Sequence, residues 1–221
     1  MPDLFHFDWY VDQHGYEVIP IERDLLFAEP VTSISEGRHG EFIRGKGGPL
    51  RAYRPLEEFP GLHRTFAELQ ADTPSILEFV HMYGLLGVGF SEPGLGEEDL
   101  GLWHRSIASM RNLVQVIDAD QRGYACELFN KHVHPRVTAR IEHEPGRHTR
   151  PQMIPFNLEG ALYIQVLDEL TRAIKFRRCK VCPNWFSYGP GTGRRETKEF
   201  CSARCRVVWN REKKRKIRDT A

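Results

Sequence analysis

Four cysteines near the C-terminus constrain this chain more than any other feature. They stand as Cys179-x2-Cys182-x18-Cys201-x3-Cys205. Two close pairs separated by a loop suit one tetrahedral ion, because each pair supplies two thiolates from a single turn and the intervening segment brings the turns together. The flanking residues agree. Pro183 follows the first pair, Trp185 and Phe186 offer apolar cover, and Gly189, Pro190, Gly191 and Gly193 form a loop tip. Ser202 is a good helix N-cap, which places Cys205 in the first helical turn. Partial positive charge there, with arginines nearby, favours thiolate over thiol. The expected ligand set is therefore Cys179, Cys182, Cys201 and Cys205 around one Zn2+. Four protein ligands leave no open position, so the ion's role is structural, not catalytic. A knuckle followed by a ligand-bearing helix is a treble-clef-like arrangement.

Two disulfides or an iron–sulfur cluster are the competing readings of the same thiols. The chain has five cysteines, an odd number, and four are clustered, which is unlike the spread, even-numbered framework of a secreted disulfide protein. The fifth, Cys126, lies in the helix-like stretch Ala125-Cys126-Glu127-Leu128-Phe129 and reads as a small buried hydrophobe.

The formal net charge of +1 conceals a polarity. From Arg172 to Arg218 there are 16 lysines and arginines against three acids, Glu196, Glu199 and Glu212, a net +13. Residues 1–171 hold 15 basic and 26 acidic side chains, a net −11. From Ser202 onward the expected helix carries Arg204, Arg211, Lys214, Arg215 and Arg218. At about 100° per residue, Arg204, Arg211, Arg215 and Arg218 share a sector of roughly 60°. A metal-anchored helix with such a face suits contact with nucleic-acid phosphates, aided by Arg194 and Arg195 in the preceding loop. A solvated charged tail, or docking of that tail on the chain's own acidic portion, are the other uses of such a run.

At these residues the sequence resembles a known family. Cys179-x2-Cys182, Arg195, Phe200-Cys201-Ser202-x2-Cys205 and the trailing Asn210-Arg211 with Lys213, Lys214 and Arg215 look like the CGNR-type zinc finger, a C-terminal module of many bacterial proteins. The resemblance covers about 40 residues and implies DNA binding, most naturally in transcription regulation. In that family Gly-Asn-Arg follows the last cysteine directly; here Arg206-Val207-Val208-Trp209 intervene, which sets Asn210 and Arg211 one turn later. Tyr53, Pro55, Leu56, Leu62, Phe66 and Ala67 are also faintly similar to uncharacterised bacterial proteins bearing such fingers, a link that names no activity.

Upstream, the pattern predicts an α+β domain over residues 1–174, mainly helical with an opening β-hairpin, followed by the zinc module over residues 175–221. Residues 4–23 read as two strands around a turn at Gln13-His14-Gly15, and the glycine-rich stretch from Ser33 to Pro49 reads as a long loop. Helices are expected after Pro60, from a Thr73-Pro74 start to Gly84, over Glu97–Asp118 as the longest, over Arg122–Lys131, and from an Asn157 cap to about Phe176. Val137–His143 and Gln152–Phe156 are expected to pair across Glu144-Pro145-Gly146. No apolar run approaches the roughly 18 residues of a membrane span, and Met1–His6 lacks a secretory pattern. A cytoplasmic location without membrane contact is the default.

Enzyme motifs are lacking. Gly45-Lys46-Gly47-Gly48 has no following Ser or Thr to make a phosphate loop. His132, His134, His143 and His148 form the one other metal-like set, and Asp118, Asp120, Glu142 and Glu144 offer no selected pair. The expectation is a non-enzymatic, nucleic-acid-binding zinc-finger protein, DNA before RNA, whose N-terminal domain takes a ligand or protein partner. The alternative is a protein–protein adaptor in which zinc staples a module too small to fold on its core alone.

Overall fold

A computed structural model describes residues 7–20, 40–87, 96–134, 136–142, 150–172, 174–189 and 192–219. Its first feature is a bent antiparallel ribbon. Strand β1 (Trp9–Asp12) pairs with β4 (Leu50–Tyr53), and β2 (Tyr16–Pro20) pairs with β3 (Glu41–Gly45). The expected strands are present, but they do not form a hairpin with each other. The partner of β2 comes from the Ser33–Pro49 segment expected to be loop, and that of β1 from just beyond it. Trp9 faces Tyr53 in one leg and Tyr16 faces Gly45 in the other. Gln13–Gly15 therefore lies opposite the longer Lys46–Pro49, and the ribbon turns a corner. Asp12, buried at that corner, explains the turn: its carboxylate accepts from the backbone N–H groups of His14 (2.8 Å), Gly47 (2.8 Å) and Gly48 (3.0 Å). The Gly47-Gly48 amides that a phosphate loop would offer to a ligand are spent on an internal acid. A third strand, β5 (Glu97–Asp99), joins the free edge of β3.

Six helices pack around this ribbon: α1 (Pro55–Glu58), α2 (Leu62–Glu68), α3 (Thr73–Tyr83), α4 (Leu100–Asp118), α5 (Arg122–Val133) and α6 (Leu158–Arg172). The apolar spacings read from the sequence are the buried faces: Leu62 and Phe66 on α2, Ile76, Phe79, Val80 and Tyr83 on α3, Trp103, Ile107 and Met110 on α4. Each such side chain removed from water contributes about 1.5–3 kcal/mol. Several element ends differ from expectation. Asp72 caps α3 by accepting from Ser75 N at 2.8 Å, one residue before the expected Thr73. Glu97–Asp99 pairs as β5, so α4 starts only at Leu100, where Asp99 accepts from Gly101 N at 2.6 Å. Helix α1 begins at Pro55, before Pro60. The hairpin of β6 (Val137–Glu142) and β7 (Arg150–Pro155) forms as expected, with its 144–146 turn outside the described residues. Asn157 accepts from Gly160 N at 2.8 Å at the start of α6. That helix stops at Arg172, and Phe176 belongs to the next strand.

Buried hydrogen bonds fasten ribbon to helices. Trp9 Nε1 donates to Leu85 O at 2.9 Å and Tyr53 OH to Tyr83 O at 2.7 Å. Glu98 accepts from Leu86 N (2.9 Å), Gly87 N (2.5 Å) and Trp103 Nε1 (2.9 Å). Cys126 differs from expectation by being exposed. Helix α5 buries Ala125 and Phe129, four residues apart on one face, and Cys126 turns a further 100° toward solvent.

Candidate metal centre

Strand β8 (Lys175–Arg178) pairs with β9 (Trp185–Tyr188), and Arg178 faces Trp185 at the closed end. The connecting turn carries Cys179 and Cys182, and Cys179 N donates to Asn184 O at 3.0 Å. Lys180 N donates to Glu199 O at 3.2 Å, which lays the second cysteine segment beside the first. Ser202 then caps α7 (Ala203–Asp219), with Cys205 N donating to its Oγ at 3.2 Å. A strand-borne knuckle and a helix start thus converge, as the spacing implied.

The sulfurs meet. Sγ of Cys201 lies 3.5 Å from Sγ of Cys182 and 3.5 Å from Sγ of Cys205, and Cys182 and Cys205 are 3.8 Å apart. All four lie within 4.8 Å of one another. A disulfide holds its sulfurs at about 2.05 Å, so none is formed, and all four cysteines are free. Metal–sulfur bonds of about 2.3 Å in a tetrahedron put the sulfurs roughly 3.8 Å apart. The cluster fits that spacing, and these residues can hold a metal ion. Cys201 N also donates to Cys179 Sγ at 3.5 Å.

Electrostatics of the bare thiols point the same way. Burial pushes Cys179 up, but backbone N–H groups of Cys201, Cys182 and Val181 outweigh it and bring the thiol down to about 6. Burial, then the neighbouring sulfurs of Cys182, Cys205 and Cys179, push Cys201 up to about 12. Cys182 is also raised, first by burial. Cys179 ionises readily, while burial first and the adjoining sulfurs second hold the Cys182 and Cys201 thiols up. A central cation would favour the charged form against both effects.

The basic residues named from the sequence fall into two groups. Arg194 is half-buried in the loop and donates to Ser187 O at 3.4 Å, while Arg195 is exposed. Arg204, Arg211, Arg215 and Arg218 are exposed along α7, and the Lys214 side chain lies outside the described residues. No described side chain of α7 is buried. Trp209 is 37% exposed and sits against Phe200, with ring centroids 6.1 Å apart.

Trp185 does not cover the cysteine cluster as expected. Successive strand residues face opposite sides, so Phe186 is buried within the module while Trp185 packs outward on α2. Trp185 Nε1 donates to Glu68 Oε2 at 3.0 Å, and Arg178 pairs with Glu68 at 2.9 Å. The Arg64 guanidinium lies 5.1 Å from the Trp185 ring and 5.7 Å from that of Phe176. Sequence reasoning missed this joint, because its partners lie more than 100 residues apart. Asp118 and Asp120 serve ion pairs, with Arg64 at 2.8 Å and Arg122 at 3.3 Å. His143 and His148 lie outside the described residues; among the described residues the four cysteines are the one group of three or more potential ligands that meet. No described helix is long and apolar enough to cross a membrane. A scan of protein-family models and a search of curated proteins find no match to this chain.

Proposed function

We propose that this chain is a zinc-finger protein that binds nucleic acid, DNA in preference to RNA, in a regulatory role in the cytoplasm. Residues 175–221 form the finger, and residues 1–174 form a domain that takes a ligand or protein partner. One Zn2+ held by Cys179, Cys182, Cys201 and Cys205 is structural: it locks the β8–β9 knuckle to the start of α7. Zinc is the ion that suits four thiolates in a closed tetrahedron.

The observation that carries the nucleic-acid reading is α7 itself. Its 17 residues span about 25 Å, its first turn carries Cys205 with Cys201 just before the cap, and none of its described side chains is buried. Beyond Trp209 the helix is mostly basic, and a partner of opposite charge is what that surface fits. The resemblance to the CGNR-type finger supports the same assignment.

Titrating labelled duplex DNA by fluorescence anisotropy at about 50 and about 200 mM salt tests it. Contact with roughly six phosphates gives a log–log salt slope near −5, and Arg211→Ala, Arg215→Ala and Arg218→Ala together remove about three units of that slope. No binding even at low salt rejects nucleic acid and leaves the zinc-stapled adaptor.

A further inference from the structure

Beside the first turn of α7, the loop from Gly193 onward leaves a cleft of about 500 Å³. That lies within the roughly 300–1,000 Å³ of sites that accept small organic groups. Arg194, Arg195, Lys198 and Arg206 line it, and Phe200 adds an aromatic ring. Its one acid, Glu199, is engaged at 2.5 Å by Lys180. Among the described residues, no carboxylate pairs with Arg195 or Arg206. The Lys198 ammonium is held below its usual value, first by burial and then by the Arg194 guanidinium. Four like-charged side chains line one cleft, and an anion in their midst relieves their mutual repulsion. The lining therefore combines what a phosphate needs with what a base needs. Lysine and arginine hold the phosphate, and an aromatic ring stacks the base.

We propose that this cleft is a nucleotide subsite of the nucleic-acid interface: its cations hold one backbone phosphate while Phe200 stacks an unpaired base. The inference rests on the nucleic-acid reading above and sharpens its substrate class. Paired bases are already stacked within a duplex, so the ring has a base to meet only where a strand is single. The finger then prefers duplexes with single-stranded tails over blunt ones.

The test uses the full-length protein as purified with its metal. Anisotropy compares one labelled blunt duplex with the same duplex carrying a thymidine tail, at one salt concentration. The tailed substrate binds about tenfold tighter, the scale of one stacked base. Phe200→Leu, which keeps an apolar group beside Trp209, collapses the tailed-to-blunt affinity ratio toward one. Arg206→Gln, an exposed position, lowers the ratio as well and covers the case in which Phe200→Leu fails to fold. Equal affinities in the wild type, or a ratio unmoved in both variants, overturn the subsite while duplex binding stands. Absence of binding to either DNA overturns the subsite and the underlying function together. Thymidine monophosphate binding more tightly than the tailed duplex reassigns the cleft to a free nucleotide and likewise overturns the strand subsite.

Discussion

Arg64 meets three demands at once. On α2 it is nearly buried, yet its guanidinium pairs with Glu169 on α6, reaches Asp118 at the end of α4 at 2.8 Å, and lies over Trp185 of the metal module at 5.1 Å. Beside it His63, fully buried, bonds Glu169 Oε2 at 2.9 Å. Burial alone raises a carboxyl, but hydrogen bonds from His63 and Arg64 outweigh it and hold Glu169 below the ordinary glutamate range. A carboxylate whose folded-state value is depressed stabilises the fold above its unfolded value, and this stability is lost as pH falls through the folded value. Urea unfolding should show Glu169→Gln destabilised by about 3 kcal/mol at neutral pH, with the deficit shrinking as pH drops below about 4.5. A constant deficit down to about pH 3 contradicts this account of the pair. None of this was legible beforehand, because residues 105 positions apart give no local signal. The cysteines were legible for the opposite reason: each pair sits within one turn, so spacing alone fixes its geometry.

At the scale of elements, helices were the readable part. Stripes such as Trp103, Ile107 and Met110 repeat at helical spacing, and a helix closes its hydrogen bonds locally. Strands were less so. Glu41–Gly45 lies in a glycine-rich stretch, and what makes it a strand is β2 on one side and β5 on the other. The cap at Gly84 was visible, and the structure shows why glycine stands there. Its φ is +84°, and an added Cβ would lie 2.4 Å from Tyr10 O, where α3 ends against β1. Gly84→Ala therefore meets both backbone strain and a backbone collision. It should cost at least about 2 kcal/mol in chemical denaturation, and a loss under about 0.5 kcal/mol would mean that the ribbon and α3 shift freely apart.

For the whole molecule, the charge polarity seen in the sequence becomes a spatial arrangement. The basic residues are concentrated in β8, the loop and the exposed α7, while the main apolar core is built from residues between Trp9 and Val166. The joint between them joins Glu68 with Trp185 and Arg178, sets Gly61 against Trp185 and His63 edge-on to Phe176, and lays Arg64 over two rings. A module in which Phe186 and Cys179 are the buried apolar side chains among the described residues has little core to hold it. On the function proposed above, its order depends on an ion held by the four sulfurs, and so does the direction in which α7 points. X-ray absorption at the zinc edge, with elemental analysis of the untreated full-length protein, measures this dependence at its source. The account requires one zinc per chain with four sulfur neighbours at about 2.3 Å. Protein without stoichiometric zinc, its four thiols alkylated in the native state, would contradict it.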